Sequence, residues 1–145
     1  MRYNDRESGE KFMGTKISLV VVQDQDGRIL LLRRSKTDSW MPNKLALPGG
    51  HVNFFESHES GARRELKEET NLDIKRDLVL VDDQGKTKIW LYKYLSGEQK
   101  PSLQNASHGF EHSEMVWLYP EKIIMRDDVV PELKAWKKLM YLEKF

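Results

Sequence analysis

Residues 50–72 read GHVNFFESHESGARRELKEETNL and predict a short loop followed by a helix. Ser57 is a typical N-cap residue, because its hydroxyl can accept a hydrogen bond from a free backbone N–H group in the first helical turn. Asn71 tolerates the left-handed backbone conformation in which many helices end. We therefore expect a helix over residues 57–70.

Acidic side chains lie at the edge of the apolar face of this predicted helix. At 100° per residue, Glu69 lies about 20° and Glu65 about 60° from Ala62 on the helical wheel. Burying carboxylates without a counter-charge is expensive, and like charges three or four residues apart repel each other. Arg64 can offset one such charge, so the simplest missing partner is a divalent cation with oxygen ligands, Mg²⁺ or Mn²⁺. A solvated, charge-laced helix is the alternative interpretation of the cluster alone.

Apolar segments on both sides of this helix predict a sheet. Residues 17–22 form a nearly continuous β-branched run, typical of a strand covered on both faces. The pair Asp26-Gly27, between this run and residues 28–34, indicates a hairpin. Further strands are predicted at 78–82, 86–95 and 114–118. A last helix is predicted to open near Asp128 and Pro131 and to carry an apolar stripe of Leu133, Trp136, Leu139 and Met140. Strands before, between and after two helices predict an α/β fold, with a mixed β-sheet between helices.

The composition limits the class of protein. A chain of 145 residues is expected to form one domain over residues 1–145, with residues 1–14 as an N-terminal arm. A net charge of +1 argues against nucleic-acid binding through bulk charge. The absence of cysteine excludes disulfides, thiolate catalysis and Cys-ligated metals. The sequence shows neither a membrane-length apolar run nor a signal-peptide core, so we expect a cytoplasmic protein.

The spacing within residues 50–72 resembles the Nudix box of the Nudix hydrolases, G-x5-E-x7-R-E-U-x-E-E-x-G-U, where U is apolar. Eight of the nine specified positions match, and Asn71 takes the place of the second glycine. Asn53 and Phe55 replace a glutamate and a glycine that many members carry, so the loop is expected to run differently. The resemblance implies a Nudix-type α/β/α sandwich, in which a mixed sheet lies between helices.

The resemblance also implies roles for the residues of the box. The implied metal ligands are Glu65, Glu68, Glu69, the outer Glu56 and the carbonyl of Gly50. Arg64 matches the arginine that orients Glu65, and Glu65 is the first choice for the general base that activates water. Glu111 or Glu114, from the segment before the strand at 114–118, is the second choice, with an ordinary surface carboxylate as the alternative for each.

Other side chains are candidates for substrate binding or for the core. Arg33 and Arg34 end the second predicted strand and could grip a phosphate, although surface solvation explains them equally well. Trp40, Phe54 and Phe55 could stack on a base, whereas Trp90 and Tyr92 are expected in the core. Four histidines, His51, His58, His108 and His112, are expected to be loop residues rather than zinc ligands.

The function implied by the resemblance is Mg²⁺-dependent hydrolysis of the pyrophosphate linkage in a nucleoside diphosphate linked to another group. Nucleotide sugars such as ADP-ribose, dinucleoside polyphosphates and ordinary or oxidised nucleoside triphosphates are the substrate classes it implies. RNA 5′-end decapping is a second enzymatic hypothesis, and a non-catalytic nucleotide sensor is a third, although a sensor need not keep the glutamates of the box. A homodimer is left open, and no membrane partner is expected.

Overall fold

The computed structural model describes residues 15–143, and the arm predicted at residues 1–14 lies outside them. The strands are β1 (Ile17–Gln23), β2 (Ile29–Arg34), β3 (Leu45–Ala46), β4 (Gly49–His51), β5 (Val79–Asp83), β6 (Thr87–Lys93) and β7 (His112–Leu118). The helices are α1 (His58–Thr70), α2 (Pro120–Ile123) and α3 (Pro131–Lys134), with 3₁₀ turns at Gly109–Glu111 and Lys137–Tyr141. Among these residues, no helix combines the length and the hydropathy needed to cross a bilayer.

Over residues 15–143, seven strands form one mixed sheet. Its main path runs β3-β2-β1-β6-β5, while β4 pairs with β1 and β7 pairs with β2. The pairing of β1 with β6 is parallel, and the pairings of β1 with β2 and β4 are antiparallel. The predicted α/β fold with a mixed sheet is confirmed.

The sheet separates two apolar clusters because successive side chains of a strand point to opposite faces. On one face, Leu19 and Val21 of β1 belong to a buried cluster with Trp136. On the other face, Val20 and Val22 pack in a cluster that contains the buried side of α1. Each fully buried aliphatic side chain contributes roughly 1.5–3 kcal/mol, so the two faces together hold the sandwich. Trp90 and Tyr92 are buried in the α1 cluster, as predicted.

The C-terminal region differs from the single helix predicted from the sequence. α3 ends at Lys134, Trp136 is extended, and the chain continues as a 3₁₀ turn. The side chains of the row Leu133, Trp136 and Leu139 are nevertheless buried. Met140 falls outside that row and is 48% exposed, so its predicted place in the apolar stripe is wrong.

Replacement of Gly49 by alanine is expected to destabilise the fold by about 3 kcal/mol or more. Gly49 has φ +138, and a Cβ there would lie 2.2 Å from the backbone oxygen of Ser18 on the paired strand. Gly97→Ala is the matched control, because Gly97 has φ +96 but open space around its Cα. That variant carries the backbone strain alone, for which we expect about 1 kcal/mol. Urea unfolding compares the two, and equal losses would contradict the role assigned to the close approach.

Candidate active site

The helix α1 forms where the sequence predicts it and fixes the positions of the acidic residues. Ser57 caps its start by accepting a hydrogen bond from the backbone N–H of Ser60 at 3.1 Å. Asn71 ends it with φ 66, in the left-handed conformation, and its N–H donates to the carbonyl of Lys67. The helix packs its apolar side on the sheet, so the side chains of Glu65 and Glu69 face β4 and the start of β7 rather than open solvent.

An acidic cavity of about 380 Å³ lies between α1, β4 and the segment before β7. Its acidic and basic lining residues are Arg34, Asp38, Arg64, Glu65, Glu68, Glu69 and Glu111. The histidines His51, His108 and His112 and the glycines Gly49 and Gly50 complete the polar part of the wall. The structure therefore places the glutamates of α1 in one polar cavity with groups that come from four other parts of the chain.

Arg64 joins three of the carboxylates to the backbone of β4. Its Nε donates to Glu56 at 2.8 Å, and its Nη2 donates to the other Glu56 oxygen at 3.0 Å and to the carbonyl of His51 at 2.9 Å. Its Nη1 donates to Glu65 at 3.2 Å and to Glu68 at 2.9 Å. Bonding to Arg64 lowers the pKa of Glu56, and the same carboxylates raise the pKa of Arg64. One guanidinium thus sets the orientation of three acidic side chains.

Glu69 is the most deeply buried of these carboxylates, with 6% of its surface exposed. Its Oε1 accepts a hydrogen bond from the backbone N–H of Gly49 at 2.7 Å. Burial, reinforced by the charge of Glu65, raises the pKa of Glu69 well above its usual value, and burial also raises the pKa of Glu65. Among residues 15–143, the only basic side chain within ion-pair distance of Glu69 is that of His112, whose Nε2 lies 3.7 Å from Oε2. A buried carboxylate without a cationic partner is costly, and an added positive charge would relieve that cost.

The oxygen atoms of the cavity wall are of the type that bind divalent cations, but they do not converge on a single point. Among the described residues, no group of three Asp, Glu, His or Cys side chains converges closely enough to hold an ion. The carboxylates of Glu56, Glu65 and Glu68 bond Arg64 instead. A Cβ on Gly50 would lie only 3.0 Å from the Glu65 carboxylate, so a side chain there would fill the space beside it. Oxygen donors of this kind suit Mg²⁺ or Mn²⁺.

Arg33 and Glu114 lie away from the acidic cavity. Arg33 donates from Nε to Glu114 at 2.6 Å, from Nη2 to Asp128 at 3.1 Å and from Nη1 to the carbonyl of Asn43 at 2.8 Å. Neither residue lines the cavity, whereas Glu111 does. Of the two glutamates proposed from the sequence as a second choice of base, the structure thus brings Glu111 to the site and pairs Glu114 with an arginine.

Arg34 lines the acidic cavity, and the aromatic candidates do not. Its Nη2 donates to Asp38 at 2.6 Å and its Nε donates to the carbonyl of Trp40 at 2.8 Å. The ring of Trp40 is buried and lies 4.7 Å from the Arg34 guanidinium, so this tryptophan supports the arginine from the core. Phe54 and Phe55 are 91% and 96% exposed, contact each other edge to face and do not line the cavity.

Two histidines that were not predicted at the site face the glutamates of α1. His108 lies in the expected loop, with its Nδ1 3.5 Å from Glu68, and its backbone N–H donates to the carbonyl of the same glutamate at 2.7 Å. His112, also expected in a loop, is instead the first residue of β7. Their i, i+4 spacing was the only signal in the sequence, and it does not reveal which element lies opposite. His58 hydrogen-bonds Ser18 at the start of α1, outside the cavity.

Comparison with known proteins gives a family for this fold and site. The family model described as NUDIX domain matches residues 15–140. The protein named uncharacterized Nudix hydrolase YfcD from Salmonella typhi is 34% identical over 128 residues, which cover 83% of this chain and 67% of that protein. The human m7GpppN-mRNA hydrolase NUDT17 is 44% identical over 55 residues, which cover 38% of this chain and 17% of that protein.

A solved structure has the same architecture. The crystal structure of a C. elegans Ap4A hydrolase binary complex matches with a TM-score of 0.62 and 25% sequence identity. The match covers 88% of this chain and 95% of that one. The chain thus spans nearly the whole of this structural relative, about two thirds of YfcD and less than a fifth of the mRNA hydrolase.

Proposed function

The chain belongs to the Nudix hydrolase family, and from that premise we propose that it hydrolyses, with Mg²⁺, the pyrophosphate linkage of a nucleoside diphosphate joined to another group. The buried carboxylate of Glu69 carries the proposal, because it faces the acidic cavity without a lysine or arginine partner among the described residues. A divalent cation supplies that charge, neutralises the pyrophosphate and lowers the pKa of a bound water.

The proposal assigns each wall of the acidic cavity a task. Metal binding falls to Glu65, Glu68, Glu69 and the carbonyl of Gly50, with Glu56 as the outer carboxylate. Arg64 orients these carboxylates through the hydrogen bonds described above. Glu65 remains the first choice for the general base, and Glu111 is preferred over Glu114 as the second because it lines the cavity. Arg34 is the candidate for binding a phosphate group because it lines the acidic cavity, whereas Arg33 does not.

Among the implied substrates, we favour a dinucleoside polyphosphate. The name of the C. elegans relative supports this class, and its structure matches this chain over nearly its full length. Nucleotide sugars and nucleoside triphosphates, ordinary or oxidised, stay as alternatives from the family resemblance. RNA 5′-end decapping is supported by the name of the human relative, but the matched part covers only 38% of this chain. A non-catalytic nucleotide sensor stays an alternative, a cytoplasmic location stays a prediction, and the sequence leaves a homodimer open.

A substrate panel tests the proposal. Purified protein with Mg²⁺ is incubated with dinucleoside polyphosphates, sugar nucleotides, nucleoside triphosphates, NADH, FAD and capped RNA, and products are identified by mass. We expect release of a nucleoside monophosphate or diphosphate from one of the small nucleotides, and none when EDTA replaces Mg²⁺. If capped RNA is the only substrate cleaved, the result would favour RNA 5′-end decapping over hydrolysis of a small nucleotide. Saturable nucleotide binding without any cleavage would contradict hydrolysis and favour the sensor.

A further inference from the structure

We propose that His112 is a positioning residue for Glu69, with its Nε2–H directed at the carboxylate oxygen Oε2 that Gly49 does not hold. The inference rests on the proposed function, since it concerns how one metal-binding carboxylate is held. It adds a neutral hydrogen-bond donor to the residues of the Nudix box, and this donor lies on the wall of the acidic cavity opposite α1.

An irregularity in the sheet turns His112 into the cavity. β7 pairs with β2 so that Glu114 lies opposite Arg33, but His112, not Ser113, lies opposite Arg34. In a regular antiparallel pair Ser113 would occupy that place, and His112 would share the face of Glu114. The register shift adds one residue to β7, as a β-bulge does, and such bulges re-aim side chains beside active sites. Hence Arg34 and His112 both line the acidic cavity.

The surroundings of the imidazole decide which of its nitrogens carries the proton. Within residues 15–143, the Nδ1 of His112 is buried and has no hydrogen-bond partner. A buried N–H without an acceptor costs about 1–3 kcal/mol, so the proton belongs on Nε2. Nε2 lies 3.7 Å from Oε2 of Glu69, beyond hydrogen-bond length, so the proposed hydrogen bond requires the two groups to approach each other by about 0.5 Å. A metal bound to Nε2 would instead force the proton onto the orphaned Nδ1, which argues for a donor and against a ligand.

A neutral donor suits this position better than a cation. A charged ring would carry a second N–H at the buried Nδ1, which has no acceptor, so the geometry favours the neutral ring. It can orient Oε2 without cancelling the negative charge that a divalent cation needs. With Gly49 on Oε1, both oxygens of Glu69 are then held by uncharged N–H groups. Partners of this kind affect metal affinity by roughly 10- to 100-fold in other proteins.

Binding of Mn²⁺ alone, followed by electron paramagnetic resonance, tests the inference on the full chain. His112→Phe keeps a ring but removes the donor, and we expect its Kd for Mn²⁺ to rise by about 10- to 100-fold. His112→Gln keeps an N–H donor, and we expect most of the affinity to be retained. Ser113→Ala, an exposed neighbour on the same strand, is the control and is expected to bind Mn²⁺ as the wild type does. Melting curves check folding, and His112→Met replaces the phenylalanine variant if that variant unfolds.

The outcomes separate this inference from the proposed function. Suppose that the wild type binds Mn²⁺ and hydrolyses a nucleotide, and that His112→Phe binds Mn²⁺ equally well. That result would overturn the role of His112 and leave the proposed function intact. A weaker affinity of His112→Phe for Mn²⁺ with an unchanged affinity for Mg²⁺ would also overturn it. Such a difference would mean that the nitrogen binds the ion directly, because a ligating nitrogen favours Mn²⁺. A wild type that binds no Mn²⁺ and cleaves no nucleotide would overturn both. In an active enzyme, a positioning role further requires that His112→Phe lower kcat at limiting metal while KM for the nucleotide stays nearly constant.

Discussion

Replacing Glu69 by glutamine is expected to abolish turnover while leaving the fold intact. The amide keeps the size of the side chain and the acceptor oxygen for the Gly49 N–H, but it removes one negative charge from the proposed metal site. A metal contributes several kcal/mol to charge stabilisation in such reactions, so we expect kcat to fall by at least about 100-fold. Steady-state hydrolysis of the substrate found in the panel measures the effect.

The thermal stability of the same variant provides an independent check. A buried neutral amide costs less than a buried carboxylate, so metal-free Glu69→Gln is expected to melt no lower than the wild type. The rise in Tm that Mg²⁺ causes in the wild type should be much smaller in the variant. Glu59→Gln is the matched control, because Glu59 lies on the exposed side of α1 and pairs with Arg63. Near-wild-type activity in Glu69→Gln would refute the metal assignment.

The elements that are coded locally could be predicted from the sequence. The helix α1 has its cap at Ser57 and its left-handed end at Asn71, as the residue types indicate. The turn at Asp26-Gly27 forms between β1 and β2, with φ 89 at Gly27. The wheel position of Glu69 also predicted its unusual burial. Each of these features depends on residues within a few positions of each other, so neighbouring residues determine them.

Features that depend on distant pairing could not be predicted in this way. The choice between Glu111 and Glu114 follows from how β7 pairs with β2, roughly 80 residues away in sequence. The register shift between those strands also brings His112 into the acidic cavity, and no short pattern encodes it. Phe54 and Phe55 are the opposite case. Their place in the sequence beside the Nudix box suggested a role in the substrate pocket, but both side chains are exposed and do not line the cavity. Residues at the rim of the site therefore depend on tertiary packing.

Removal of Arg64 is expected to have the largest effect on stability among the charged residues of the site. Arg64→Gln leaves the carboxylates of Glu56, Glu65 and Glu68 without their common cation. Breaking a buried ion pair costs about 3–5 kcal/mol, and partial exposure of this one lowers our expectation to about 2–3 kcal/mol. Arg64→Lys should recover only part of the loss, because one ammonium cannot reproduce the fork of a guanidinium. Denaturant unfolding without metal measures both variants.

Addition of Mg²⁺ distinguishes loss of charge balance from general damage to the helix. If Arg64 and the cation share the same carboxylates, the metal should stabilise Arg64→Gln by more than it stabilises the wild type, since it replaces part of the missing positive charge. Lys67→Gln is the control, because Lys67 is an exposed cation on the same helix with a 3.7 Å contact to Asp73, and its loss should cost less than about 1 kcal/mol. Equal metal-induced stabilisation of Arg64→Gln and the wild type would show that the arginine acts on the fold independently of the metal site. Greater stabilisation of the variant would mean that the carboxylates held by Arg64 are the ones that bind the ion.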